Sequence, residues 1–528
     1  MCKDHKKRKA NRSLHSGKAA TATLVLLALF VALSIFPVVK NAITAHAQSG
    51  IWSEPVKLSL DVVSSWFPDL SVDGMGNVHV VWNSDCHGSE RKMSFLFYTV
   101  WNGQSWLEPI DLVVSDCGAA IRNSIAADNA GNVHLLYNHK DWRALYKTSP
   151  ATIAGSAASW SQPYGISGTG ANYMSDIAVD SKGVIHAVWD EMVPVKADQK
   201  DDLCQWQAGN IFYRRSTDGG QTWSRSINLS NSATGSGRAQ VEIDSSEVIH
   251  VAWDEGWNHF CQDETSLHGM RGVYVFSSDG GESWSAPTTF SYPENTNAQT
   301  VVASDGRGGV MAVWRTMSRD EIYYDWSSDG GASWCAPRCI PGIYARPWGT
   351  PYDIYTMKAD SAGNIHLIVV GRLSLADETL GLYHLEWDGS SWSAPTTISA
   401  GGFPDYPRLA IGGGNKLHVV WFDRYGSTFE TSDRLTVWYS SSHSASPAQT
   451  PVPPPTSTPT PTATPLATAT PTATPYPTLA PGGTALPDGL YTESDDLLRL
   501  LVGLGPVLIL VTAILAIRCG WLRRSSGR

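Results

Sequence analysis

Arginines and carboxylates recur at fixed offsets from one kind of turn, and any chemistry in this sequence begins with that spacing. Arg122 and Arg238 each stand six residues before a turn aspartate, Asp128 and Asp244. Arg408 lies two residues further along another copy of the pattern, and Arg346 precedes one more. A guanidinium presents a planar fork of donors that fits a carboxylate, so these four are the candidate ligand-binding residues for an anionic group. Asp69, Asp176, Glu191 and Glu255 are carboxylates, and Tyr352 a hydroxyl, at or near comparable places in the pattern. The cysteines show none of the paired spacing of a zinc site, and neither a metal nor a cofactor is expected.

These residues need a scaffold that repeats, and the sequence repeats seven times. The pattern is an Asp or Gly turn, a β-branched residue, His, two apolar residues and usually an aromatic. It reads DGMGNVHVVW at 73–82, DNAGNVHLLY at 128–137 and DSKGVIHAVW at 180–189, then returns from 244, 305, 360 and 412. Copies begin every 52 to 64 residues, with Met311 once in the His column. A period of that size suits a four-stranded blade of a β-propeller. In the fourth copy, 239–243 reads as strand one, 244–247 as the turn, 248–254 as strand two, 272–276 as strand three and 284–290 as strand four.

A tryptophan ahead of a Pro-bearing strand forms a second column, at 52, 106, 160, 284, 334 and 392, with WSRS at 223. Its first member precedes blade 1, and none follows blade 7. Ring closure resolves the mismatch: 52–58 completes the last blade by pairing near 435–440, which removes a free sheet edge. The fold class is therefore all-β, a seven-bladed propeller whose N-terminal strand closes the last blade.

Three blades carry STDGGQTW at 216–223, SSDGGESW at 277–284 and SSDGGASW at 327–334. These match the Asp-box, S-x-D-x-G-x-x-W, and over 51–441 the chain resembles the sialidase-like, BNR-repeat propellers. The short acid of such a box can accept hydrogen bonds from its own turn while the Trp packs on the sheet, so Asp218, Asp279 and Asp329 are read as structural. The repeated His is read the same way. The resemblance implies a ligand face formed by the two-to-three and four-to-one connections. Blades 3 and 4 have long insertions there, at 190–210 and 254–272, each beginning Trp-Asp-Glu. It also implies an arginine clamp, an acid/base carboxylate, for which Asp69, Asp176, Glu191 and Glu255 are candidates, and a tyrosine nucleophile, for which Tyr352 is the candidate; but Trp66-Phe67-Pro68-Asp69 stands where a Phe-Arg-Ile-Pro motif belongs, so one clamp residue is missing. Two functions stay open: a surface binding module for glycans or other envelope ligands, or an exo-acting, sialidase-type glycoside hydrolase.

The ends read as targeting and anchoring segments. Residues 1–47 join a basic stretch to the apolar run 19–39 and end on Ala-His-Ala, as a signal peptide or uncleaved signal anchor does. After the propeller (48–445), Pro, Thr, Ala and Ser dominate a stalk at 446–490. An apolar segment at 497–517 then reads as a single transmembrane helix, followed by the basic tail 518–528. The expected location is the plasma membrane, with the propeller outside. Residues 1–47 carry eight Lys/Arg against one Asp and residues 518–528 carry four Arg, so the net charge of −10 leaves −21 between them. Such acidity argues against nucleic acid as a partner. Six cysteines lie in the exported part, and a Cys204–Cys261 bridge is expected, with Cys86–Cys117 and Cys335–Cys339 as the remaining pairs.

Overall fold

A computed structural model describes residues 50–453, apart from 62–63, 85–92, 117–121, 139–142, 169, 193–208, 257–269, 295, 348–352 and 426–433. The expected signal segment, the stalk beyond 453, the apolar C-terminal segment and Cys86, Cys117, Cys204 and Cys261 lie outside the described residues. Among the described residues no helix is long and apolar enough to cross a membrane.

Alternation of apolar residues with turn-forming Asp, Asn and Gly yields seven antiparallel sheets. Blade 1 runs Ser65–Val72, Val78–Ser84, Met93–Trp101 and Ile110–Asp116. Its register recurs around the ring, and blade 6 holds a fifth strand, Tyr344–Ala345. Closure follows the sequence: Val56–Lys57 pairs with the third strand of blade 7, Val56 opposite Tyr439 and Lys57 opposite Trp438. In blade 4 the observed strands are Ser236–Ile243, Ile249–Glu255, Arg271–Ser277 and Thr288–Phe290. The last begins later than the expected 284 because Pro287 has no N–H to donate to a ladder.

Packing between blades is built from the repeat. The second strands bury Trp82, Trp189, Trp253, Trp314 and Trp421. In blade 4, His250 Nδ1 shares a hydrogen with the Tyr274 hydroxyl at 2.7 Å and its Nε2 with the turn carboxylate of Asp244 at 3.2 Å. The same Asp–His–Tyr relay holds blade 1 through Asp73, His79 and Tyr98, and blade 2 through Asp128, His134 and Tyr146. Each tyrosine ring then meets the Asp-box side of the next blade, Tyr274 lying edge-on to Trp334 at 5.5 Å. Gly331, at φ +90°, passes under that ring; a Cβ there would stand 2.7 Å from the Tyr274 hydroxyl. The repeated His thus occupies the buried seam between blades.

One pairing is corrected. Cys335 is a free, exposed thiol, whereas Cys339 is disulfide-bonded, so Cys335 and Cys339 are not joined to each other. The two flank the Pro-bearing entry to a short outer strand, Arg338–Cys339.

Candidate functional site

The first strand of every blade lines the central channel, and its side chains fall in levels counted back from the turn. Four residues before the turn stand Asp69, Ser124, Asp176, Gln240, Thr356 and Arg408, which with Glu242 and Lys358 line a cavity of about 330 Å³. Asp69 accepts the Ile125 N–H of blade 2 at 2.9 Å. Burial pushes its carboxyl up to about 6, Arg408 drawing it back and Asp176 adding to the rise. Asp176 ties three blades, accepting Ser124 Oγ at 2.7 Å and the Val241 N–H at 2.9 Å. One level on, Lys358 pairs with Glu242. The channel acids therefore fasten neighbouring backbones as well as face the cavity.

Two residues nearer the loop face the inner strands change character. Phe67, Arg238, Gln299 and Tyr406 hold φ of +48°, +64°, +63° and +51°, each inside a register shift of its strand pair. Such a bulge re-aims a side chain. Arg238 is thereby placed between Asp254, at 3.5 Å, and Asp353, with which it forms a close ion pair. Asp353 also accepts Arg408 Nη2 at 3.0 Å, and the Arg408 guanidinium lies 3.7 Å from the centre of the Tyr406 ring. Arg122 completes the group, 4.2 Å above Phe67 and 5.0 Å from Tyr406, donating to the Tyr173 hydroxyl at 3.2 Å. Arg122, Arg238 and Arg408 thus converge at one end of the channel, around two tyrosines.

Arg122 and Arg238 are closed to solvent, whereas Arg408 reaches the channel cavity. Arg122 is 1% exposed and Arg238 4%. Burial lowers the Arg238 guanidinium to about 10, even with Asp254 beside it. Arg346 stands in a different group: it and Arg424 donate to the two oxygens of Asp405, at 3.2 and 2.7 Å. Buried guanidinium groups persist where carboxylates face them, and here two aspartates each serve two arginines.

The other candidates are engaged by loops. Glu255 accepts the hydroxyls of Ser232, Thr234 and Ser236 and the Trp253 indole N–H, which fixes the chain entering the blade 4 inner strand. Glu191 accepts Gly168 N–H and Gly170 N–H, both at 3.0 Å, and holds the corresponding connection in blade 3. Tyr352 lies outside the described residues. In the Asp-boxes, Asp218 accepts the Thr222 hydroxyl and N–H and the Ser216 hydroxyl. Asp279 and Asp329 repeat that set with Ser283 and Ser277, and with Ser333 and Ser327.

Sequence reasoning missed Asp353, Asp254, Tyr173 and Arg424, and named Tyr406 in no role. A usable signal existed for Asp353. Asp353 and Asp405 occupy the same offset, seven residues before Asp360 and Gly412, and each receives two guanidinium groups.

Residues 199–419, which include all three complete Asp-boxes, match the family described as BNR repeat-like domain, so the likeness read from those boxes is shown. Blades 1 and 2 lie outside the match. No curated protein matches the chain. Among solved structures, a protein of unknown function from Dyadobacter fermentans is similar at 15% identity, covering 74% of this chain and 97% of its own, with a TM-score of 0.46. The BP39L lectin from Burkholderia pseudomallei is 16% identical over 74% of this chain and 99% of its own, with a TM-score of 0.45. The NanB sialidase from Streptococcus pneumoniae is 15% identical over 79% and 72%, with a TM-score of 0.42.

Proposed function

Taking the chain as a seven-bladed propeller of BNR-type repeats, we propose that it is a membrane-anchored, surface-displayed binding module for glycans or other cell-envelope ligands. The observation that supports binding over hydrolysis is the pairing of the arginines. Asp353 takes up Arg238 and Arg408, and Asp405 takes up Arg346 and Arg424, so the guanidinium groups that would clamp a substrate carboxylate already serve the ring. Missing the blade 1 arginine, at Trp66-Phe67-Pro68, works in the same direction. Recognition then belongs to the two-to-three connections, where the sequence of the blade 3 and blade 4 insertions departs from the repeat.

A second reading rests on one observation: Arg122, Arg238 and Arg408 gather around Tyr173 and Tyr406, as a sialidase-type hydrolase requires of arginines and a tyrosine. The purified chain, tested on a glycan array and in parallel for released sialic acid, separates the two. Retention of a glycan without release supports the binding module; catalytic release overturns it. Anchoring rests on the apolar run ahead of Arg518, Arg523 and Arg524, and resistance of the chain to alkaline carbonate extraction tests it.

A further inference from the structure

The last strand, Arg434–His443, does not end the ordered contacts of the chain. Residues 444–453, the root of the Pro/Thr-rich stretch, cross the one-to-two turns of three successive blades. On blade 7, Ser444 N–H donates to Asn415 O at 2.8 Å and Gln449 N–H to Gly413 O at 2.5 Å. On blade 6, Ser446 Oγ donates to Asp360 at 2.5 Å and Ser361 Oγ to Pro447 O at 2.7 Å. On blade 1, Val452 N–H donates to Gly74 O at 2.9 Å.

Two features show that this path is built into the turns it crosses. Between blades 4 and 5 the turn carboxylate of Asp244 accepts the hydroxyl of Ser304, the residue just before the next turn. Ser304 is the one hydroxyl at that position in the seven blades, blade 7 having Ile411, and at blade 6 it is Ser446 of the passing segment that supplies a hydroxyl to the turn carboxylate of Asp360. Gly74 is the second feature. A Cβ there would meet Val452 O at 2.6 Å, and no other atom outside Val452 comes within 4 Å among its three nearest, while its φ lies outside the left-handed region. Glycine is required at this place by the passing segment and not by the turn's own conformation.

We propose that residues 444–453 form a strap that locks the ring across its closing junction, blades 6, 7 and 1, and that the chain enters its stalk from the turn side that carries the Asp-boxes. Val56–Lys57 closes the ring by strand pairing, whereas the strap closes it by crossing over turns. Three-to-four and one-to-two turns share this side, as the Gly330 N–H to Gly308 O bond at 2.7 Å shows within blade 5. Force arriving through the chain beyond residue 453 is then spread over three blades. This inference does not depend on which ligand the protein takes.

Amide hydrogen exchange on the purified full chain tests it, with a synthetic peptide of residues 444–453 as reference. The strap requires the Gln449 and Val452 amides to exchange at least tenfold more slowly in the protein than in the peptide. Equal rates overturn it. Gly74→Ala should return Val452 to the peptide rate while Gln449 keeps its protection; Val452 unchanged in that variant would overturn the blade 1 contact. Ser446→Ala reads the blade 6 contact without adding any atom, and should speed exchange at Ser446 and lower the melting temperature by several degrees, with Ser446→Thr restoring both. A variant Ser446→Ala that melts with the parent chain would overturn the claim that Ser446 closes the junction.

Discussion

Arg238 joins an unfavourable backbone conformation to two buried carboxylates, and its own replacement measures both. With φ at +64° and Asp254 and Asp353 on either side, its side chain balances charge that water cannot reach. Arg238→Ala leaves both acids with less cation than they face now, and should cost about 3–5 kcal/mol, read as a fall in the urea midpoint. An unchanged midpoint would mean that Arg408 alone satisfies Asp353. The offset of Arg238 from its turn was legible in the sequence. Its partner was not, because Asp353 arrives from blade 6 and nothing local to either residue marks the meeting. Nor does an arginine announce positive φ, which usually falls to Gly or Asn.

Strands and turns were more legible than side-chain partners, since alternation and Asp/Gly turns are local signals while the seams between blades are not. The His column was plain from the repeat. What it binds, a tyrosine on the third strand and an aspartate at the turn, emerges only when the sheet brings all three together. Tyr274→Phe keeps the ring against Trp334 but takes the hydroxyl from His250 Nδ1, leaving a buried nitrogen without a partner. A loss of about 1–3 kcal/mol is expected in chemical denaturation. A midpoint equal to that of the parent chain would show that the relay contributes packing alone. Gly281→Ala acts on the same kind of seam from the other blade. At φ +85° its Cβ would stand 1.9 Å from the Tyr213 hydroxyl, so steric overlap and backbone strain combine. The expected cost is roughly 1–3 kcal/mol by the same measurement. Full stability in Gly281→Ala would mean that the Tyr213 ring yields freely, and the seam would then not be tightly packed.

At the scale of the whole ring, closure could be read from a surplus: the tryptophan column had one member before the first blade and none after the last. Response to pH could not be read, because it depends on burial summed around seven blades. Two sets of groups act in opposite directions between neutrality and pH 4. Burial holds His384 and His418 down at about 3, against 6.5 unfolded, and lowers His186 as well. As pH falls below 6.5 the unfolded chain takes up protons that these residues refuse when folded, so they remove stability. Burial raises Asp69, Asp190, Asp325 and Asp423 to about 6, against 3.8 unfolded. As pH falls through 6 the folded chain binds protons that the unfolded chain does not yet bind, so these residues add stability down to about pH 4. Below 3.8 that gain is complete. Hydrogen bonds from their own turns then matter, because they hold Asp218, Asp279 and Asp329 at about 2. Folded carboxylates stay ionised while unfolded ones are protonated, and stability falls with the histidine contribution still acting. The melting temperature should therefore be nearly level from pH 6.5 to 4 and drop steeply below it. A steady decline beginning at 6.5 would show that the buried acids remain ionised. Asp69→Asn sharpens the test, since the amide oxygen can still accept the Ile125 N–H but the side chain no longer titrates. With one opposing group gone, the level stretch of the variant should tilt, its melting temperature falling between pH 6 and 4 where that of the parent chain holds.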